Sequence, residues 1–229
     1  MKLTDARVLV TGGSAGIGKE IARQLKERGA QVAICGRDDA KLQAAAEEIG
    51  AIAIRGDVSV EAEAVDVVRK TIERLPDYNV LVNNAGFGSF APLVETSLEE
   101  MQRVLATNVL GAMVAGRESA RHFVRKSYGN ILNISSSAGT RGFAGGTAYC
   151  ASKFALSGMT ECWRAELRKS NIRVMQINPS EVQTDFFKGR PFSERKLRAA
   201  EIAQATLSML EMDDRGFITE LSVWATNPD

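Results

Sequence analysis

A single histidine, His122, supplies all the imidazole in this chain, and Cys35, Cys150 and Cys162 supply all its thiols. An odd number of cysteines with no C-x-x-C pair excludes a disulfide framework and suits free thiols in a reducing compartment. One histidine outside any Cys/His cluster leaves no ligand set for a structural zinc. Also missing is any uninterrupted apolar run approaching the roughly eighteen residues of a membrane span. The opening, MKLTDARVLVTGG, has a basic residue but no long apolar stretch and no cleavage site, so no signal peptide is expected. Charge of one sign is absent too. The 29 Lys+Arg against 28 Asp+Glu provide no electrostatic pull toward nucleic acid or an anionic membrane. A soluble, cytoplasmic protein acting on a small molecule is the expectation.

What is present is a steady alternation of short apolar runs and helical patterns. The chain has 229 residues, 45% hydrophobic and 25% charged, enough for one large domain with a substantial core. Apolar strands are expected at 6–12, 31–35, 51–58, 80–86, 129–135, 172–178 and 216–223. Between them, helices are expected at 18–30, 38–50, 60–75, 97–125, 148–169 and 201–211. Gly29 and Gly50 close the first two, and Ser97 with Glu100 forms the S-x-x-E pattern that opens the fourth. This rhythm predicts right-handed βαβ crossovers: an α/β, Rossmann-type doubly wound parallel sheet of about seven strands, helices on both faces, in a single domain over 1–229. In such sheets ligands bind at the carboxyl ends of the strands, so the residues after each strand are the place to look for chemistry.

After the first strand comes TGGSAGIG (11–18). Gly12, Gly16 and Gly18 allow a tight turn, close approach of a ligand to the backbone, and a helix seated against the sheet; Ser14 and Ile17 belong to the same turn. The helix start then offers unpaired N–H groups and a positive dipole end to a pyrophosphate. The second strand ends ICGR. Where an acidic residue would bind the ribose hydroxyl of NAD, Gly36 stands, followed by Arg37, whose guanidinium fork suits the extra phosphate of NADP. A solvated arginine partly neutralised by Asp38 and Asp39 is the plainer alternative. Asp57 and Val58 close the third strand, where Asp57 is a candidate for the adenine amino group. Asn84, Ala85 and Gly86 follow the fourth, where small residues would let the backbone pack on the adenosine ribose.

In AYCASKFA (148–155), Tyr149 and Lys153 stand four positions apart, on one face of a helix. A cation held there favours tyrosinate and is expected to pull the phenol below its ordinary pKa of about 10.

Together, TGGSAGIG, NNAG, the asparagine of TNVLG, NISSSAG and YCASK resemble the short-chain dehydrogenase/reductase family in order and approximate spacing, from residue 6 to about 184. The resemblance implies a Rossmann fold, a nicotinamide cofactor and a catalytic group of Asn108, Ser136, Tyr149 and Lys153. In it Tyr149 exchanges the proton, Lys153 steadies the tyrosinate and holds the nicotinamide ribose, Ser136 hydrogen-bonds the carbonyl oxygen, and Asn108 anchors a water that relays protons. Ser137 should point away from Ser136 if the chain stays extended. The resemblance also puts Pro179, Val182 and Thr184 by the nicotinamide, although Ser180 stands where the family usually has glycine. Cys150 is expected to pack, and His122 has no assigned role.

The segment from Thr184 to Glu201, with Phe186, Phe187, Phe192 and several basic residues, is expected to cover the substrate near 185–200. It would suit a compact carbonyl compound or an acyl chain on an acidic carrier; equally, its cations could serve only solubility. The expected function is NADPH-dependent reduction of a ketone, in a small diketone or an oxoacyl thioester, with NAD(H) the less favoured cofactor. The alternative is a non-catalytic NADP(H)-binding regulatory protein. The long helices at 97–125 and 148–169 carry small and apolar residues fit for subunit pairing, so a homodimer is expected, with a homotetramer as the alternative.

Overall fold

The structure, a computed structural model, describes residues 1–184 and 193–226. In chain order the elements are β1 (Arg7–Thr11), α1 (Gly16–Glu27), β2 (Gln31–Gly36), α2 (Asp39–Ile49), β3 (Ile52–Arg55), α3 (Glu61–Arg74), β4 (Val80–Asn83), α4 (Leu98–Leu105) and α5 (Ala112–Lys126). There follow β5 (Gly129–Ile134), α6 (Thr147–Leu167), β6 (Ile172–Pro179), two short strands β7 (Val182–Gln183) and β8 (Leu197–Arg198), α7 (Ala199–Glu211) and β9 (Glu220–Val223).

Seven strands form one sheet in the order β3-β2-β1-β4-β5-β6-β9, with every pair parallel. Because successive side chains of a strand point to opposite faces, β1 sends Val8 and Val10 to one layer and Leu9 to the other. The first layer packs α1, α2 and α7 through Leu25, Leu42 and Leu207, and the second packs α3 and α5 through Val67 and Phe123. Covered on both faces, the strands need continuous apolar runs, which is how they read in the sequence. Strand order reverses between β1 and β4, and this switch point opens a crevice at the strands' carboxyl ends.

Local signals set the helix ends. Asp38 accepts from the Lys41 amide at 3.1 Å, and Gly50 closes α2 at φ 66°. Ser97 accepts from the Glu100 amide at 3.1 Å, but the Glu100 carboxylate bonds Arg103 instead of completing the reciprocal cap. The long helix expected over 97–125 is broken by a π-helical turn, Ala106–Gly111, which joins α4 to α5. Gly111 lies so close to the strand-three loop that a Cβ would stand 2.7 Å from the Val58 carbonyl oxygen. The β7–β8 ladder was not foreseen, since two-residue strands carry no periodicity. Among the described residues no helix is long and apolar enough to cross a membrane.

Candidate active site

The floor of the crevice is built from backbone. Gly12 has φ 65°, and a Cβ on it would lie 2.9 Å from Ala85 Cα. A Cβ on Gly18 would collide with Asn84 Nδ2 and stand 2.5 Å from the Gly12 carbonyl oxygen. Asn84 is a latch: its Nδ2 donates to the Thr11 and Gly12 carbonyls at 3.0 and 3.2 Å. The Asn84 and Ala85 amides both donate to Thr11 Oγ1, at 3.0 and 3.1 Å. Thr11, which sequence reasoning passed over, therefore ties the end of β1 to the end of β4; its place directly before the glycines was the available signal. Gly16, at φ 53°, and Ile17 line the crevice, with Thr184 lying over Gly16.

At the end of β2, Ser14 Oγ lies 3.1 Å from the point a Gly36 Cβ would occupy, and Arg37 follows Gly36 in the chain. Arg37 is 71% exposed and faces Asp57 at 3.9 Å, while Asp38 is occupied in capping α2. Asp57 Oδ1 accepts from the Ser59 amide and hydroxyl at 2.9 and 2.7 Å, which holds the turn after β3. Val58 is buried against Gly111.

The wall opposite is made of side chains. Tyr149 and Lys153 share one face of α6, with the Lys153 ammonium 5.7 Å from the centre of the phenol ring. Lys153 is 6% exposed and donates to the Ile134 carbonyl at 2.8 Å, at the end of β5. Burial pulls its pKa down to about 8. For Tyr149 the structure reverses the expected sign. Burial pushes the phenol above its ordinary value, and the Ser136 hydrogen bond that opposes this does not cancel it. The lysine is turned to a carbonyl, and the phenolate would lose water, so the neutral phenol is favoured.

Ser136 bonds the phenol and also accepts from the Ala138 amide at 3.1 Å, which caps a short turn at Ser137–Gly139. Extension ends there, and Ser137 is also part of the crevice lining. Asn108, 1% exposed in the π turn, accepts from the Phe87 amide at 3.0 Å and donates to the Phe87 carbonyl at 2.9 Å and Ser152 Oγ at 3.0 Å. Ser152 in turn donates to the Tyr149 carbonyl at 2.7 Å. The Asn108 side chain is thereby spent on joining the loop after β4 to α6. Ser152, inside YCASK, was legible as a motif position but not as a brace.

Pro179, Ser180, Val182 and Thr184 complete the lining of a crevice of about 550 Å³. Gly86 also lines it, with Asn108 Oδ1 3.0 Å from where its Cβ would be. Cys150 is buried, and His122 is buried against the Tyr78 ring. Phe186, Phe187 and Phe192 lie outside the described residues.

A parallel sheet with a glycine turn at its switch point, facing a Ser–Tyr–Lys wall, defines a nucleotide-crevice oxidoreductase. The family model "short chain dehydrogenase" matches residues 6–194, and the chain belongs to that family. L-xylulose reductase of Caenorhabditis elegans is 40% identical over 188 residues, covering 80% of this chain and 74% of the relative. The 3-oxoacyl-[acyl-carrier-protein] reductase of Bos taurus is 33% identical, covering 90% and 92%. Among solved structures, an alcohol dehydrogenase from the archaeon Thermococcus sibiricus, complexed with 5-hydroxy-NADP, superposes with a TM-score of 0.89 at 27% identity, covering 97% and 98%.

Proposed function

We propose that this protein is an NADP(H)-dependent carbonyl reductase that converts a ketone to an alcohol. The observation that carries the reading is the juxtaposition of Tyr149 with Ser136 and Lys153 in the lining of the same crevice as the glycine turn. The cradle fits a dinucleotide: Gly12 and Gly16, at positive φ, carry the chain through the tight turn after β1, and the N-terminus of α1 would meet the phosphates. Arg37 and Ser14, grouped at Gly36, would take the extra phosphate of NADP, a preference in keeping with the NADP-type ligand named for the archaeal relative. When bound, the nicotinamide supplies the hydride.

The chain's own residues do the rest. Tyr149 gives its proton to the carbonyl oxygen. Ser136 donates a hydrogen bond to that oxygen as charge develops on it. The Lys153 ammonium stabilises the tyrosinate left behind and holds the nicotinamide ribose. Asn108 keeps the Gly86–Phe87 loop and α6 in register, and a water held near its turn would return the proton to Lys153. Asp57, Val58, Asn84 and Ala85 shape the adenosine end. Pro179, Val182 and Thr184 would hold the nicotinamide, and the substrate would be a small diketone or an oxoacyl thioester taken up within a single domain. Exposed Leu110 and Phe154 suit pairing of two copies in the cytoplasm, which sedimentation would read as a dimer.

The test is loss of NADPH absorbance with a panel of diketones and oxoacyl thioesters. Turnover of one or more is the expected result. Tight NADPH binding with silence across the panel would instead identify a regulatory binding protein.

A further inference from the structure

We infer that Phe90 and Phe143 form a ring-walled wedge at the mouth of the crevice that selects carbonyl substrates bearing a flat apolar group, an aryl group above all, over polyhydroxylated ones. This rests on the carbonyl-reductase reading and names the substrate class of that same site. Phe90 and Phe143 are 41% and 52% exposed and belong to neither packed face of the sheet. Their ring centres lie 6.0 Å apart at 38°, and Phe90 meets the Tyr149 ring edge-on at 5.6 Å and 66°. Exposed apolar surface of this kind, set beside a proton donor, marks a binding surface rather than a core.

The local structure holds these rings in place. The Ala91 amide donates to the Gly145 carbonyl at 3.0 Å, which clips the loop carrying Phe90 to the loop carrying Phe143. Gly145 has φ 77°, and a Cβ on Gly146 would stand 2.8 Å from two carbons of the Phe143 ring. The run GFAGG thus makes the room in which that ring lies. Two residues earlier, the Arg141 guanidinium covers the Trp224 ring at 4.6 Å and braces the same loop against the chain beyond β9.

The serines of the crevice, Ser135, Ser136, Ser137 and Ser180, lie just beyond the ends of β5 and β6. A planar group laid against this ring pair gains offset or edge-on stacking and loses no hydrogen bonds, whereas sugar hydroxyls placed there would lose water and gain no partner from the rings. The inference therefore departs from the sugar substrate named for the nematode relative.

The experiment compares kcat/KM of the intact enzyme for phenylpropanedione, butanedione and L-xylulose with NADPH. Expected is a preference of about tenfold or more for the phenyl compound over butanedione, with L-xylulose poorest. In Phe90→Ala and Phe143→Ala the phenyl-to-methyl ratio should fall to near one; a merely structural defect would lower both rates and leave the ratio standing. In parallel, calorimetry on Tyr149→Phe enzyme loaded with NADPH compares binding of the two diketones, independently of turnover. If no carbonyl is turned over yet the ring preference appears in binding, the reductase reading fails and the wedge survives. If butanedione or L-xylulose is reduced as well as the phenyl compound, or if calorimetry shows no ring preference, the wedge is overturned whatever the enzyme reduces.

Discussion

In the half of the crevice formed by β1, β4 and α1, the ligand-facing atoms are mostly backbone; in the half formed by β5, β6 and α6 they are side chains. The first half is closed by Thr11 and Asn84, and Gly12 and Gly18 stand where a Cβ would strike a neighbour. The second buries an ammonium ion that donates to a carbonyl, raises a phenol's pKa and keeps two rings partly exposed. The difference follows from what each half must recognise. A pyrophosphate offers the same oxygens every time and is well met by fixed N–H groups, at little entropic expense. A carbonyl undergoing reduction changes its charge, and its substituents vary, so that half needs titratable groups and replaceable side chains.

Four measurements would break or sharpen this contrast. The largest effect belongs to the side-chain half. Tyr149→Phe removes the proton but no cofactor contact of the floor, so turnover should fall by about a thousandfold while NADPH affinity, read by fluorescence titration, stays within about twofold. Retained turnover would mean the proton comes from elsewhere. In the backbone half, Gly18→Ala puts a methyl group against Asn84 Nδ2 and the Gly12 carbonyl. Overpacking of that kind costs about 1–3 kcal/mol, so NADPH binding should weaken by about tenfold or more and the melting temperature should drop. Normal affinity would show the floor to be yielding.

The third concerns a side chain on the rim of the backbone half. Arg37→Ala should weaken NADPH by about tenfold through the lost charge-assisted bond, and NADH hardly at all. Equal losses would remove the argument for the extra phosphate. The smallest effect is one of pH. Burial holds the Lys153 pKa at about 8, so its positive charge is present below that pH and lost above it. Tyr149, shifted upward, keeps its proton across the same range. For carbonyl reduction, kcat/KM for NADPH should therefore be level at neutral pH, about half at pH 8, and lower beyond. A profile still level well above pH 8 would show that the lysine charge is not required.

Much of the fold was legible in the sequence. Strand–helix alternation predicted the parallel sheet, and Asp38, Gly50 and Ser97 marked helix ends that the structure keeps. The candidate site was legible as residues but not as relations among them. The sequence points to Asn84 and Asn108 as site residues, but not to the hydrogen bonds by which their side chains hold Thr11, Gly12, Phe87 and Ser152. Phe90 and Phe143 carry no periodic signal, being loop residues fifty-three positions apart, and they meet only in the folded chain, where Ala91 bonds Gly145.

Sequence alone determined the parallel sheet, the glycine turn and the helix face shared by Tyr149 and Lys153, because strand and helix periods and glycine's freedom are local properties of the chain. Tertiary structure alone decided the direction of the phenol's shift, the π turn that seats Asn108 and the aromatic mouth. Desolvation, close approach and ring contact depend on which distant segments are brought together, and no short stretch of residues encodes that.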